Sequence, residues 1–173
     1  VRIDSKEVIS VHSSLEVEKI ESFSEFEGLH EFWNKILQKS LDNDIFSTWE
    51  WLWCWWKHFG SGRKLRILIV KEGNQVIGIA PFMLSNYNFL RFSKLSKIEF
   101  ISSPHGDYNN FILLRREAEC VRLLLDALME FSDWNMLDLR DIREESASAK
   151  TLISISSSKN GNLKLKVKVK TLC

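Results

Sequence analysis

Residues 103–110 read Ser-Pro-His-Gly-Asp-Tyr-Asn-Asn, gathering His105, Asp107, Tyr108 and Asn109 in one short polar stretch. A histidine near an aspartate can work as a general base, with the carboxylate orienting the ring. His105 and Asp107 are therefore the candidate catalytic pair, and Tyr108 and Asn109 candidate substrate contacts. The same residue types also serve simply to turn the chain, which is the plainer reading of the segment. No G-x-S-x-G elbow offers a nucleophile. The histidines at 12, 30, 58 and 105 are scattered, with no H-E-x-x-H or H-x-x-E-H, so no metal is expected. Cys54, Cys120 and Cys173 have no C-x-x-C spacing and make no disulfide framework, which favours a reducing, cytoplasmic setting.

Phosphate-binding loops are missing: neither a P-loop nor G-x-G-x-x-G occurs. Arg115 and Arg116, just before a helix expected from Glu117, are the residues that would touch a phosphate. Their approach, Leu114-Arg-Arg-Glu-Ala-Glu119, has no glycine and two acids, so ordinary solvated charge is the plainer reading. Four lysines alternate with Leu163, Leu165, Val167 and Val169; they read as a soluble strand face rather than a polyanion site.

Trp49, Trp51, Trp53, Trp55 and Trp56 crowd one helical stretch whose apolar arc, at about 100° per residue, is far wider than a surface helix shows. Burial between a sheet and another helix is the leading explanation. Docking on a second domain or subunit is the next, since Trp is enriched at interface cores. A ligand groove lined by Trp51 and Trp55 is the third.

These residues need a scaffold. A first strand is expected over Leu15–Glu21, with residues 1–22 loosely attached. A capping box of Ser24 and Glu27 opens a helix running to Lys39 or Ser40, and a second box, Ser47 with Glu50, opens the Trp helix that stops at Gly60. Leu65–Val70 and Gln75–Ala80 form a hairpin around Glu72–Gln75. Pro81 marks a strand end, an edge or a bulge. Lys97–Ser102, Phe111–Leu114 and Asn135–Arg140 read as strands, Glu117–Phe131 as an amphipathic helix, and Glu144–Ser158 as a weaker one. Interleaving of this kind predicts one mixed α/β sheet with helices packed on it.

The phrase Phe46-Ser-Thr-Trp-Glu-Trp-Leu-Trp-Cys-Trp-Trp-Lys-His-Phe-Gly60, then Leu65–Val70 and Val76-Ile-Gly-Ile-Ala-Pro-Phe82, resembles the N-terminal half of the BioF2-like or CelD-like acetyltransferases of the GNAT superfamily, relatives of the FemAB peptidyltransferases. The resemblance covers roughly residues 44–173. It implies a GNAT-like, mostly antiparallel sheet with helices on both faces, and acyl transfer from acetyl-CoA or another acyl-CoA to an amine or hydroxyl acceptor, a small molecule or a glycan, in envelope or polysaccharide metabolism. It also implies a second GNAT-like half docking through the Trp-rich helix, with Cys173 resembling the first residue of a Cys-Pro-aromatic hinge. The glycine-free start of the helix at Glu117 departs from the family's acyl-CoA loop, so this half is expected to lack that loop.

Three functions follow as alternatives: an acyl-CoA-dependent N- or O-acyltransferase domain, a non-catalytic packing and acceptor-binding module, or a FemAB-like aminoacyl-tRNA-dependent transferase. The chain has 173 residues, 45% of them hydrophobic and 27% charged, with seven glycines, two prolines and seven tryptophans. That suits one folded domain and excludes low-complexity readings. A net charge of +1 offers no general attraction to nucleic acid, which weighs against the third alternative. Residues 1–50 hold eleven acids and five bases, the remainder twelve acids and nineteen bases, so the two halves carry opposite charge. No apolar run is long enough to span a bilayer.

Overall fold

The computed structural model describes residues 14–40, 42–89 and 93–157. The strand expected over Leu163–Val169, and Cys173, lie outside them. The elements are β1 (Leu15–Ile20), α1 (Phe23–Gly28), α2 (His30–Lys39), a single 3-10 turn (Ile45–Ser47), α3 (Trp49–Phe59), β2 (Lys64–Glu72), β3 (Gln75–Phe89), β4 (Ser93–Phe100), β5 (Ile112–Leu113), α4 (Glu117–Met129), β6 (Met136–Leu137) and α5 (Ala147–Ser157). One six-stranded sheet runs in the order β1-β2-β3-β4-β6, with β5 on β3 beside β4. Every pair is antiparallel except β4 with β6.

Alternation along the strands sends side chains to two cores. Ile67, Ile69, Ile79 and Met83 meet α1, α2 and α3. Leu68, Val70, Phe82 and Ile98 meet the buried stripe of α4, Val121, Leu124 and Leu128, and α5 beyond it. The fold is therefore mixed α/β, with a mostly antiparallel sheet and helices on both faces. Burial on both sides is why Leu65–Val70 reads as a near-continuous apolar run. β1 is tied to β2 along its whole length, from Leu15 opposite Glu72 to Ile20 opposite Ile67.

The first helix expected is two. The chain breaks at Leu29, which ends α1 and starts α2. The capping box is Ser22 with Glu25, not Ser24 with Glu27: the Glu25 amide donates to Ser22 Oγ at 3.2 Å and the Ser22 amide to Glu25 Oε2 at 3.0 Å. The Ser22 hydroxyl, which donates to Glu25 Oε2 at 2.6 Å, and the Ser22 amide together hold the Glu25 carboxyl below its ordinary pKa. Two overlapping S-x-x-E patterns compete here, and the earlier one wins.

At α3 the cap is Thr48, whose Oγ1 accepts from the Trp51 amide. Ser47 instead belongs to the 3-10 turn, and Glu50 accepts from Asn34 Nδ2 at 2.9 and 2.7 Å. Gly60 caps the helix, its amide donating to the Trp56 carbonyl at 2.7 Å, and a Cβ there would run into that same oxygen.

The wide apolar arc of α3 is covered on one side by the sheet, through buried Leu52 and Trp55, and on the other by α1 and α2. The Trp49 ring tilts over Phe26 at 5.9 Å and stacks on Trp53 at 5.6 Å, which in turn stacks on Phe23 at 6.4 Å. Trp49 Nε1 donates to the Phe26 carbonyl at 3.0 Å, and Trp33 Nε1 to that of Ser47 at 2.9 Å.

Other boundaries also shift. β4 runs from Ser93 to Phe100 rather than over Lys97–Ser102, β6 is two residues long, and α5 begins at Ala147 instead of Glu144. Pro81 is at neither an end nor an edge: it lies inside β3, opposite Ile67 of β2. Its missing N–H is tolerated because the neighbour on its other side changes there. Gly78 and Ile79 pair with β5, whereas Phe82 onward pair with β4.

Candidate functional site

That change of neighbour creates the loop of interest. Phe100 stands opposite Phe82 and Ile112 opposite Ile79, so two residues of β3, Ala80 and Pro81, face the eleven residues from Ile101 to Phe111. A strand in the middle of the sheet is thus interrupted by a compact loop. At its start the Ile101 amide donates to the Pro81 carbonyl at 2.9 Å. At its end the Phe111 ring packs against Phe82 and Phe100 at 5.5 and 5.6 Å.

Inside the loop, the Ser102 carbonyl accepts from the amides of His105 at 2.7 Å and Gly106 at 2.9 Å. The Ser102 hydroxyl donates to Asn109 Oδ1. Asn109 is buried, and its Nδ2 donates to the carbonyls of Gly106 and Arg140, both at 3.4 Å. Its amide donates to the Asp141 carbonyl at 3.0 Å. Asn110 Nδ2 donates to Asp42 at 2.8 Å. Burial pushes the Asp42 carboxyl above its ordinary pKa, against the pull of Arg143 and Asn110. The Arg143 guanidinium lies 4.4 Å over the Tyr108 ring and donates to Asp44 Oδ2 at 2.8 Å. Asn109 and Tyr108 are thus engaged in holding the loop to its neighbours.

His105 and Asp107 are both exposed, and no hydrogen bond or ion pair joins them among the described residues. The orienting group of His105 is Trp55: its Nε1 donates to His105 Nδ1 at 2.9 Å. The imidazole stacks on Phe59 at 4.9 Å between centroids. An indole N–H only donates, so Nδ1 must accept and the neutral ring carries its proton on Nε2. The nitrogen left available is a donor, not a base. Trp51 is half-buried, its ring set edge-on against Phe46 at 5.0 Å.

Arg115 and Arg116 are brought together at the start of α4, where both are engaged by carboxylates. Arg115 donates to Glu72 Oε2 through Nε at 3.0 Å and Nη2 at 2.7 Å, and to Gln75 Oε1. Arg116 Nη1 donates to Glu72 Oε1 at 2.6 Å, and its Nε and Nη2 to Glu119 Oε2 at 3.0 and 2.5 Å. Glu117 and Glu119 occupy the first turn of α4, which has no side-chain cap. This donor set does not fit the pyrophosphate of an acyl-CoA: its cations are spent on carboxylates, and the first turn is already acidic.

Sequence reasoning missed a second polar cluster. Lys97 and Glu99 alternate with Ile98 and Phe100 on β4, so they face away from the α4 core. Lys97 Nζ is 2.6 Å from Glu99 Oε2 and 3.1 Å from Asp138 Oδ2, and the Tyr87 hydroxyl donates to Glu99 Oε1 at 3.0 Å. Glu99 is only 3% exposed. Burial works against the charge of Lys97, but Glu99 and Asp138 hold its pKa above the ordinary value. The strict alternation of β4 was the available signal.

Among the described residues no group of three or more His, Cys, Asp or Glu side chains could hold a metal ion, and no helix is long and apolar enough to cross a membrane.

No family model matches the chain, and no curated protein matches it. Several solved structures are similar at low identity. An integron cassette protein from the mobile metagenome of V. cholerae has a TM-score of 0.46 and 12% identity, over 91% of this chain and 93% of that one. An aminoglycoside acetyltransferase from an uncultured soil metagenomic sample has 0.45 and 11%, over 92% and 97%. Glucosamine-6-phosphate N-acetyltransferase from Arabidopsis thaliana has 0.41 and 12%, over 91% and 99%.

Proposed function

We propose that this chain is a GNAT-like domain of an acyl-CoA-dependent N- or O-acyltransferase, and that it serves the acceptor side of the reaction. The observation that carries the reading is the interrupted central strand. The Trp helix and the Ala80–Pro81 hairpin, the two signatures of the sequence resemblance, converge on that interruption, with Trp55 bonded to the loop and Pro81 facing it. Acyl-CoA does not fit the α4 corner of this chain, so the acyl donor is held elsewhere and no step is assigned to it here. What the chain supplies is an exposed loop with an oriented imidazole on an aromatic floor, suited to holding a polar acceptor.

Thermal-shift screening of the full chain against amine and hydroxyl acceptors, with and without acetyl-CoA, tests this. Stabilisation by an acceptor alone supports it. Stabilisation by acetyl-CoA alone, or by no acceptor in a panel spanning amino sugars, polyamines and amino acids, contradicts it.

A second half docking on α3, the alternative role, would find Trp55 unavailable because it is buried under its own chain. Such a contact would have to use the half-buried indoles of α3, Trp51, Trp53 or Trp56, together with exposed Ile45.

A further inference from the structure

We infer that the corner around Phe59 binds an anionic oxygen, a phosphoryl or carboxylate group, with His105 as its hydrogen-bond donor and Arg63 as its cation. This deepens the acceptor-side reading and rests on it only for what the bound group is for.

Four side chains make the corner. Phe59 is 47% exposed although it is a large aromatic at the end of α3. His105 stacks on it, and because Nδ1 is taken by Trp55, the outward nitrogen is Nε2–H. Arg63 lies with its guanidinium 5.5 Å from the centroid of the same Trp55 ring. Its Nη1 donates to the Phe59 carbonyl and its Nε to Ser85 Oγ at 3.2 Å. His58 meets the edge of Phe59 at 6.5 Å.

The charge around this corner is unbalanced. Arg66, Arg115, Arg116, Arg140 and Arg143 each hold a carboxylate. Arg63 is held only by a carbonyl and a hydroxyl, neutral acceptors that fix its position and leave its charge uncompensated. Among the described residues no carboxylate is bonded to Arg63, His58 or His105. A fixed donor and a fixed cation beside an exposed ring call for a partner that only accepts and carries negative charge, and such charge-assisted bonds are the stronger kind. An amine acceptor would meet the corner through an anionic substituent, not through its amine.

The test is long-range 1H–15N spectroscopy of the histidine rings in the full chain, titrated with inorganic phosphate and, separately, acetate. His105 is expected as the Nε2–H tautomer, with its Nε2 resonance moving saturably with one or both anions; the tighter anion names the group. By calorimetry, His105→Ala and Arg63→Met should each weaken that anion roughly tenfold or more, as loss of a hydrogen bond to a charged group does. His105→Gln, which restores a donor at similar reach, should recover most of the loss. An Nδ1–H ring, an Nε2 resonance unmoved by both anions, or unchanged affinity in His105→Ala overturns the proposal. Since no acyl donor is present, failure here and failure of the acyltransferase reading are separate results.

Discussion

Trp55 and His105, fifty residues apart in sequence, share one hydrogen bond in which the indole nitrogen donates to Nδ1 at 2.9 Å. The bond joins the end of α3 to the loop that interrupts the central strand. It also decides which imidazole nitrogen faces outward. Replacing Trp55 by Phe keeps an aromatic ring and removes the donor. The expected cost is about 1 kcal/mol of stability, the usual worth of one such bond, together with a mixture of tautomers at His105. Chemical denaturation reads the first and ring 15N shifts the second; a pure Nε2–H ring in the variant would show that Trp55 does not set the tautomer.

Gly106 has its own spatial demand. A Cβ there would stand 2.6 Å from Ser102 Oγ and 3.0 Å from Asn109 Oδ1, the two atoms that close the loop on itself. Gly106→Ala should therefore destabilise by about 1–3 kcal/mol, as overpacking of a filled site does. The urea midpoint checks it, and a value equal to wild type would mean that the loop opens freely.

Glu72 neutralises two arginines at once. Glu72→Gln keeps the shape and removes the charge. Arg115 and Arg116 are partly exposed, so solvent screens the charge and the loss of stability should be small. The difference from wild type should shrink as salt is raised. A penalty that is indifferent to salt would argue that packing rather than charge holds the corner.

Asp138 gives a pH-dependent prediction. Burial would raise its carboxyl, but Arg140 and Lys97 hold it below the ordinary value of 3.8. A depressed carboxylate contributes stability that is complete above that ordinary value and is lost as pH falls through the lower, folded one. Asp138→Asn should thus be less stable than wild type at neutral pH, and the gap should close in acid below pH 3.8. Melting temperatures measured down the acid limb test it; a gap that widens in acid has the wrong sign.

Much of the scaffold was legible because periodicity and burial agree along it. Leu65–Val70 is apolar on both faces because helices cover both faces, and the stripe Val121, Leu124 and Leu128 lands in the core as spaced. The hairpin was legible from Gly73, whose φ of 58° suits its tight turn. The break between α1 and α2 was not, because Leu29 carries no cap signature; only Gly28 before it hinted at an end. Pro81 misled because a proline inside a central strand is acceptable only where the neighbouring strand is interrupted, which is a tertiary fact.

The candidate site divides similarly. The loop was legible as polar and tightly turned, but its partners were not. His105 beside Asp107 suggested a carboxylate-oriented base, whereas the ring's partner comes from Trp55 on a helix that sequence patterning treats as core. Arg115 and Arg116 looked available because Glu72 lies over forty residues upstream, at the end of β2. Arg63, between the Trp helix and β2, carried no motif at all, and it stands out only when the carboxylate partners of Arg66, Arg115, Arg116, Arg140 and Arg143 are seen.

Isothermal titration of the full chain with acetyl-CoA tests most directly whether this domain serves the acceptor side with its α4 corner closed. No binding heat is expected for wild type. Saturable binding by wild type that is abolished in Arg115→Ala or Arg116→Ala would place the acyl donor on this chain and contradict the assignment.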